Sequence, residues 1–424
     1  MKESFLHYIW QTAQFDHTDL TTTSGAHLTI LKKGSPHQDG GPDFINALIK
    51  LDSETWAGQV EIHIQSSDWF KHNHHLDSAY DNTVLHVVYE YDADVRRSNG
   101  TIIPCLILKP RIGEELLLGY ERLTNNSDKI PCHNMLPHMA NETAIFTIEA
   151  KAIDRLKDKS VVILNKLERC QNDWQEVLYQ MIAIALGMRV NKVPFELLAK
   201  QLPLKLISKY RNNLETMEAL VFGSAGFLHK HHVDAYGKSL FLEYIFLSTK
   251  HQITPIPVET WKFLRLRPAN FPTIRLAQLA TLLHQKEGLF SRVKDELQYD
   301  NLLALFRIEP SAYWRTHYRF DQVSANKSKQ VGKNLIHNIL INAVVPILYC
   351  YGLKQNNLML QDQCLELLES IPAEQNAITL YYQTRGLTIT NALQSQGVLQ
   401  LHNKLCIFKD CLNCQIGHHI LKRT

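Results

Sequence analysis

The sequence predicts an α+β domain followed by a large all-α domain, and three observations carry that reading. Strand-like runs rich in β-branched and aromatic residues lie at 44–51, 56–64, 83–91 and 102–108. From about Asn141 onward, apolar residues recur at helical spacing instead. A chain of 424 residues with 45% hydrophobic content can build more than one sizeable core.

Taken in order, a helix runs from Glu3 to about Thr12. Phe44–Leu51 has strand character and ends in the turn-forming Asp52-Ser53-Glu54, which leads into Trp56-Ala57-Gly58-Gln59-Val60. Val60-Glu61-Ile62-His63-Ile64 alternates, so Glu61 and His63 share one face while Val60, Ile62 and Ile64 face a core. The hairpin places Asp43 near Glu61 or His63. Ser67-Asp68 has the signature of a helix N-cap, and 68–81 puts Trp69, His72, Leu76 and Tyr80 on one stripe, which predicts a helix of about three turns. Thr83–Tyr91 and Ile102–Leu108 complete a β-β-α-β-β order. Pro110 to Pro137 reads as an irregular connection.

The helical part begins with an amphipathic segment, Ile145 to Cys170, then a helix from Asp173 to Leu186 stopped by Gly187, and another opened by Pro194. Further helices are expected at 205–228, 238–249, 274–286, 290–306, 333–353, 359–370 and 387–404. The expected division is 1–112 for the α/β domain, 113–140 for the connection, 141–400 for the helical domain and 401–424 for a C-terminal cysteine segment.

Two acids and a base converging on one sheet face suit a hard divalent cation, which lowers the pKa of a bound water and neutralises charge on a scissile phosphate. The competing reading has Asp43 capping a turn and Glu61 and His63 on a solvated strand face. Around them lie His72, His74, His75 and His86. One or two could line the site or hold a softer ion. His72 and His74 cannot both point the same way on a helix, so His74 and His75 are expected to be exposed, and His86 to be a satisfied core histidine.

The pairing of Pro42-Asp43 with Glu61-Ile62-His63 in this order of elements resembles the PD-(D/E)XK phosphodiesterase superfamily. The resemblance covers about residues 1–112 and implies a restriction-endonuclease-like fold. It further implies that Asp43, Glu61 and the Ile62 carbonyl hold Mg²⁺ or Mn²⁺, with Glu3 a candidate third carboxylate. His63 stands where most members have lysine, and a histidine there would act as a base or ligand instead of a permanent cation. The whole chain also resembles an uncharacterised bacterial family known only as a domain of unknown function, with similar Gly-Pro-Asp-Phe and Val-Glu-Ile-His segments.

At the other end, Cys406-x4-Cys411-x2-Cys414 precedes Gly417-His418-His419. Cys-x2-Cys lets two thiolates bind one ion around a tight turn, so Zn²⁺ is the expected occupant, with an iron–sulfur cluster or a disulfide as alternatives. The fourth ligand is His418, His419, Cys132 or Cys170. In the helical part Arg265, Arg267 and Arg275 surround Pro268-Ala269-Asn270-Phe271-Pro272 and are candidate phosphate contacts, or else pair with acids between helices. Trp314-Arg315-Thr316-His317-Tyr318-Arg319-Phe320 interleaves bases with aromatics, a pattern that suits base stacking or a half-buried segment. Residues 325–334 form a basic loop whose charge could touch nucleic acid but is expected to be solvated.

The net charge of +3 is too small to argue for nucleic acid by itself. The N-terminus lacks the apolar core of a signal peptide, and the longest apolar run, Ile339–Leu353, is interrupted by Asn342 and Pro346. A cytoplasmic protein with no membrane partner is expected. Nucleotide-binding and serine-hydrolase signatures are missing. The expected function is metal-dependent cleavage of nucleic-acid phosphodiesters. The alternatives are a non-catalytic nucleic-acid-binding or scaffold protein, and a zinc-dependent small-molecule hydrolase.

Overall fold

The computed structural model describes residues 1–37, 40–126, 128, 130–138 and 141–423. The chain forms two compact units, Met1–Thr147 with His402–Thr424, and Ile148–Leu401. The C-terminal cysteine segment is thus part of the same unit as the N-terminal sheet. The stretch expected as an irregular connection contains a helix, Glu114–Thr124, with Leu116, Tyr120 and Leu123 buried.

The first unit opens with α1 (Glu3–Thr12), which buries Phe5, Leu6, Tyr8, Ile9 and Trp10 and ends at Ala13 in the left-handed region. The strands are β1 (Leu28–Lys32), β2 (Ser35–Pro36), β3 (Phe44–Leu51), β4 (Glu54–Gln65), β5 (Thr83–Glu90) and β6 (Cys105–Ile107). The sheet is mixed, in the order β1-β3-β4-β5-β6 with β2 beside β3. The pairs β1/β3 and β3/β4 are antiparallel, while β4/β5 and β5/β6 are parallel.

The β3–β4 hairpin turns on Asp52 and Ser53, with Leu51 opposite Glu54 and Asp52 at φ +51°. A bulge at Asn46, φ +59°, shifts the register so that Phe44 faces Val60. This shift brings Asp43 beside the Glu61–Ile62 peptide. Gly58 is required where β5 begins, because a Cβ there would collide with the Asn82 carbonyl and the Val84 side chain.

The helix expected over 68–81 does not form. α2 covers Asp68–Lys71, followed by single turns at His74–Leu76 and Ser78–Tyr80. Asn73 takes φ +62° and Asp77 caps the second turn through its side chain, two local choices that interrupt a continuous helix. Leu76, placed on the buried stripe by periodicity, is exposed.

The second unit is almost wholly helical around one extended core. Pro272–Gln285 is its central helix, with every residue from Pro272 to Leu283 buried. Several expected helices are split. The span 205–228 becomes Leu204–Ile207, a short turn and Leu214–Ser224, and 290–306 becomes Leu289–Asp295 and Tyr299–Phe306. The apolar run at 333–354 is one rod with a π segment, Leu340–Val344, just ahead of Pro346. Pro346 offers no N–H, and the wider turn fits the ring. Lys159 Nζ donates to the Ile341 carbonyl in that turn at 3.3 Å. This rod is long and apolar enough to cross a membrane, but 78% of its apolar window is buried in the unit's own core.

Candidate active site

Glu61, His63 and His86 lie on one face of the sheet because Glu61 and His63 alternate along β4 and Glu61 is in register with His86 on β5. Glu61 is 4% exposed, His63 1% and His86 0%, so the solvated face of the competing reading is instead a buried polar layer. Asp43 and Glu61 are interlocked. The Asp43 N–H donates to Glu61 Oε2 at 3.0 Å, and the Ile62 N–H donates to Asp43 Oδ2 at 2.9 Å. These two backbone bonds fix both carboxylates and leave Glu61 Oε1 turned to the histidines.

His74 Nε2 lies 3.2 Å and His63 Nε2 3.7 Å from Glu61 Oε1. His63 Nε2 is 3.1 Å from His72 Nδ1, while its Nδ1 is bonded to His86 Nε2 at 2.8 Å. One nitrogen from each of His63, His72 and His74 falls within 4.8 Å of the others, close enough to share an ion. The left-handed Asn73 between them explains how: off a helix, His72 and His74 both turn toward His63. The expectation that His74 sits exposed on a helix is thereby corrected, while His86 is the core histidine expected, wholly buried with its Nε2 bonded to His63. His75 lies against Phe70 instead, with ring centroids 5.3 Å apart.

α1 adds a second layer that sequence reasoning missed. His7 Nε2 is 3.3 Å from Asp43 Oδ2 and 3.8 Å from Glu3 Oε1, one helical turn earlier. The Glu3–His7 spacing was the available signal, but its target is set by how α1 packs on β4. Trp69 and Tyr80 wall the site. Tyr80 stacks on His74 at 3.8 Å between centroids, and Trp69 meets His74 edge-on at 5.3 Å. Buried Nε2 atoms of His7 and His74 lack a well-aligned hydrogen bond, which is costly without a further partner.

Burial pushes the His63 imidazole down to about 2, helped by the rings of His86, His74 and His72, and pushes His86 down to about 3. Both are neutral at physiological pH, the form that ligates metal. Burial raises the Glu61 carboxyl, with His74 opposing and Asp43 reinforcing that shift. For His7, burial acts downward, but Asp43 and Glu3 outweigh it and the net shift is upward.

The cysteine segment also gathers. Burial raises the Cys132 thiol well above its ordinary value, and the thiols of Cys406, Cys414 and Cys411 add to the shift, placing four sulfurs in one neighbourhood. Burial likewise pushes Cys411 up to about 12. No disulfide joins the described cysteines. His418 Nε2 is hydrogen-bonded to the Leu412 carbonyl and its ring lies 4.9 Å from Tyr8. His418 therefore braces the loop, and Cys132 is the distant cysteine whose thiol the other three influence. Cys170 is in the other unit.

Of the three arginines, Arg265 and Arg267 are exposed, whereas Arg275 is 7% exposed and donates to Gln278 Oε1 at 2.8 Å and Asn270 Oδ1 at 2.6 Å. They do not form one open phosphate-gripping surface. Trp314 is wholly buried and stacks on Phe222, Arg315 is exposed and 316–319 are partly exposed, so the 314–320 segment is the half-buried one of the two alternatives.

Neither a curated protein nor a solved structure matches the chain. Residues 3–377 match a family described as a protein of unknown function, DUF2851, and the chain belongs to that family.

Proposed function

We propose that the first unit is a metal-dependent hydrolase of nucleic-acid phosphodiesters, with its reaction centre at Glu61, His63, His72, His74 and Asp43. The observation that carries this reading is the convergence of one nitrogen each from buried His63, half-buried His74 and exposed His72, two of which also approach the Glu61 carboxylate that the Asp43 N–H holds in place. The donor set is richer in nitrogen than the two-acid site expected from the sequence, which favours Mn²⁺ or Zn²⁺ over Mg²⁺. A bound divalent ion supplies a water of lowered pKa and charge to set against a phosphate oxygen. Among the chain's own groups, Glu61 Oε1 and the three histidines hold the ion. His86 orients His63 by accepting at Nε2 from Nδ1–H. The His7–Asp43 pair lies beside this centre and is the candidate to take the proton from water.

A helix followed by antiparallel strands and then two parallel strands also supports the restriction-endonuclease-like reading of the sheet. The same nitrogen-rich set favours, as a second reading, a zinc hydrolase of small esters. At the cysteines we propose a structural Zn²⁺ held by Cys132, Cys406, Cys411 and Cys414.

The test is Mn²⁺- or Zn²⁺-dependent nicking of DNA and RNA by the full chain and by Glu61→Ala. Nicking by the native protein that Glu61→Ala abolishes while its melting is retained supports the phosphodiesterase. Equal nicking by both rules this centre out, and ester hydrolysis without nicking selects the second reading.

A further inference from the structure

The helical unit holds two buried cations without an anionic partner, and they open on the same cavity. Arg275 is 7% exposed and Lys329 4%. The Arg275 guanidinium bonds only neutral amides, Gln278 and Asn270, and its Nε has no hydrogen-bond partner. Lys329 Nζ donates to the carbonyls of Arg315 at 3.1 Å and Lys327 at 2.9 Å, over the Tyr318 ring at 4.0 Å. Gln278 ties the two together, accepting from Arg275 and donating to the Lys329 carbonyl at 2.8 Å. Among the described residues neither cation is in an ion pair.

Both line a cavity of about 400 Å³, whose rim adds the exposed Lys327 and Lys333 and whose described lining contains no carboxylate. A buried charge left uncompensated costs several kcal/mol. Two of them facing one polar cavity, with two more cations at its mouth, make a site whose missing component is negative. A guanidinium edge and ammonium groups are the donors that suit a tetrahedral oxyanion.

We propose that the cavity lined by Arg275, Lys327, Lys329 and Lys333 binds a phosphate group, and that this site is separate from the histidine–carboxylate centre. Folded back over Tyr318, the basic loop 325–334 becomes one wall of the site. The inference stands whether or not the first unit hydrolyses anything.

The test is calorimetric titration of the full chain with inorganic phosphate in a low-salt zwitterionic buffer. Glu61→Ala is used as the background, so that phosphate held at the other centre does not contribute. Saturable one-site binding is expected, weakened at least about tenfold by either Lys327→Glu or Lys333→Glu. Both positions are exposed, and unchanged melting verifies that each variant folds. Displacement of phosphate by a short oligonucleotide lacking a terminal phosphate would identify the backbone diester as the natural group. Displacement that needs the terminal phosphate would identify a monoester, and no displacement by either would identify free phosphate. Each of these supports the site. No saturable heat, or an affinity the same in both reversals, overturns it.

Discussion

The two units bury polar groups in different ways. In the helical unit, Glu218 is 1% exposed and accepts from Ser311 Oγ at 2.7 Å, beside Tyr236 and Trp314. In the sheet unit, one nitrogen from each of His63, His72 and His74 lies within 4.8 Å of the others, and those of His63 and His74 face Glu61 Oε1 at 3.7 and 3.2 Å. A polar group whose bonds are closed specifies packing; groups whose bonds stay open toward one point imply something that completes them. The comparison therefore sets a carboxylate bonded within its own packing against one that faces several ring nitrogens.

The largest effect that would break this contrast is at His63. His63→Ala removes a ligand and strands His86, and is expected to lower metal-dependent hydrolysis by about two to three orders of magnitude. Rates measured across a metal titration should not recover at saturating ion. Asp43→Ala should act in the same direction, since Asp43 holds the Ile62 N–H and pairs with His7 as the proposed proton acceptor. It is expected to raise the metal concentration needed by about 10–100-fold and also to lower the rate at saturating ion, both read from the same titration.

Next in size is the thiol cluster. Cys411→Ser with Cys414→Ser should release one metal equivalent per chain by elemental analysis and cost about 2–4 kcal/mol of stability in the first unit by denaturant titration. Native protein without zinc or iron would remove the cysteines from the account and leave the histidine site standing.

The smallest effect tests the helical side. Burial raises the Glu218 carboxyl from 4.5 to about 7. The folded chain then binds that proton more tightly than the unfolded chain, so stability falls as pH climbs from 4.5 to 7. Above about pH 7 the cost is complete, roughly 3 kcal/mol. Glu218→Gln keeps an acceptor for Ser311 and should flatten this dependence, raising the melting temperature at about pH 8 by several degrees. A variant no more stable than the native protein at that pH would contradict the assignment.

How much of this was legible in the sequence follows the same divide. Glu61 and His63 were readable because strand alternation is local, and Asp43 because the Asp52-Ser53 turn fixes which residues face each other. The Asn46 bulge that completes the register carries no comparable signal. His7 and His74 were not readable as site members. His7 depends on how α1 packs, and His74 on one left-handed residue, Asn73, inside a segment whose periodicity suggests a helix. The fourth thiol, Cys132, lies far from the other three in sequence, and spacing alone left it level with Cys170 and two histidines. Lys329 was misread for the opposite reason: a charge run is usually solvated, and here the loop closes over Tyr318 and buries one of its lysines.

The central claim is most directly tested by anomalous scattering from crystals of the full chain grown with Mn²⁺ or Zn²⁺. The account predicts one peak within ligand distance of His63, His72, His74 and Glu61, lost in Glu61→Ala crystals. Full metal loading with no peak among those side chains would contradict it.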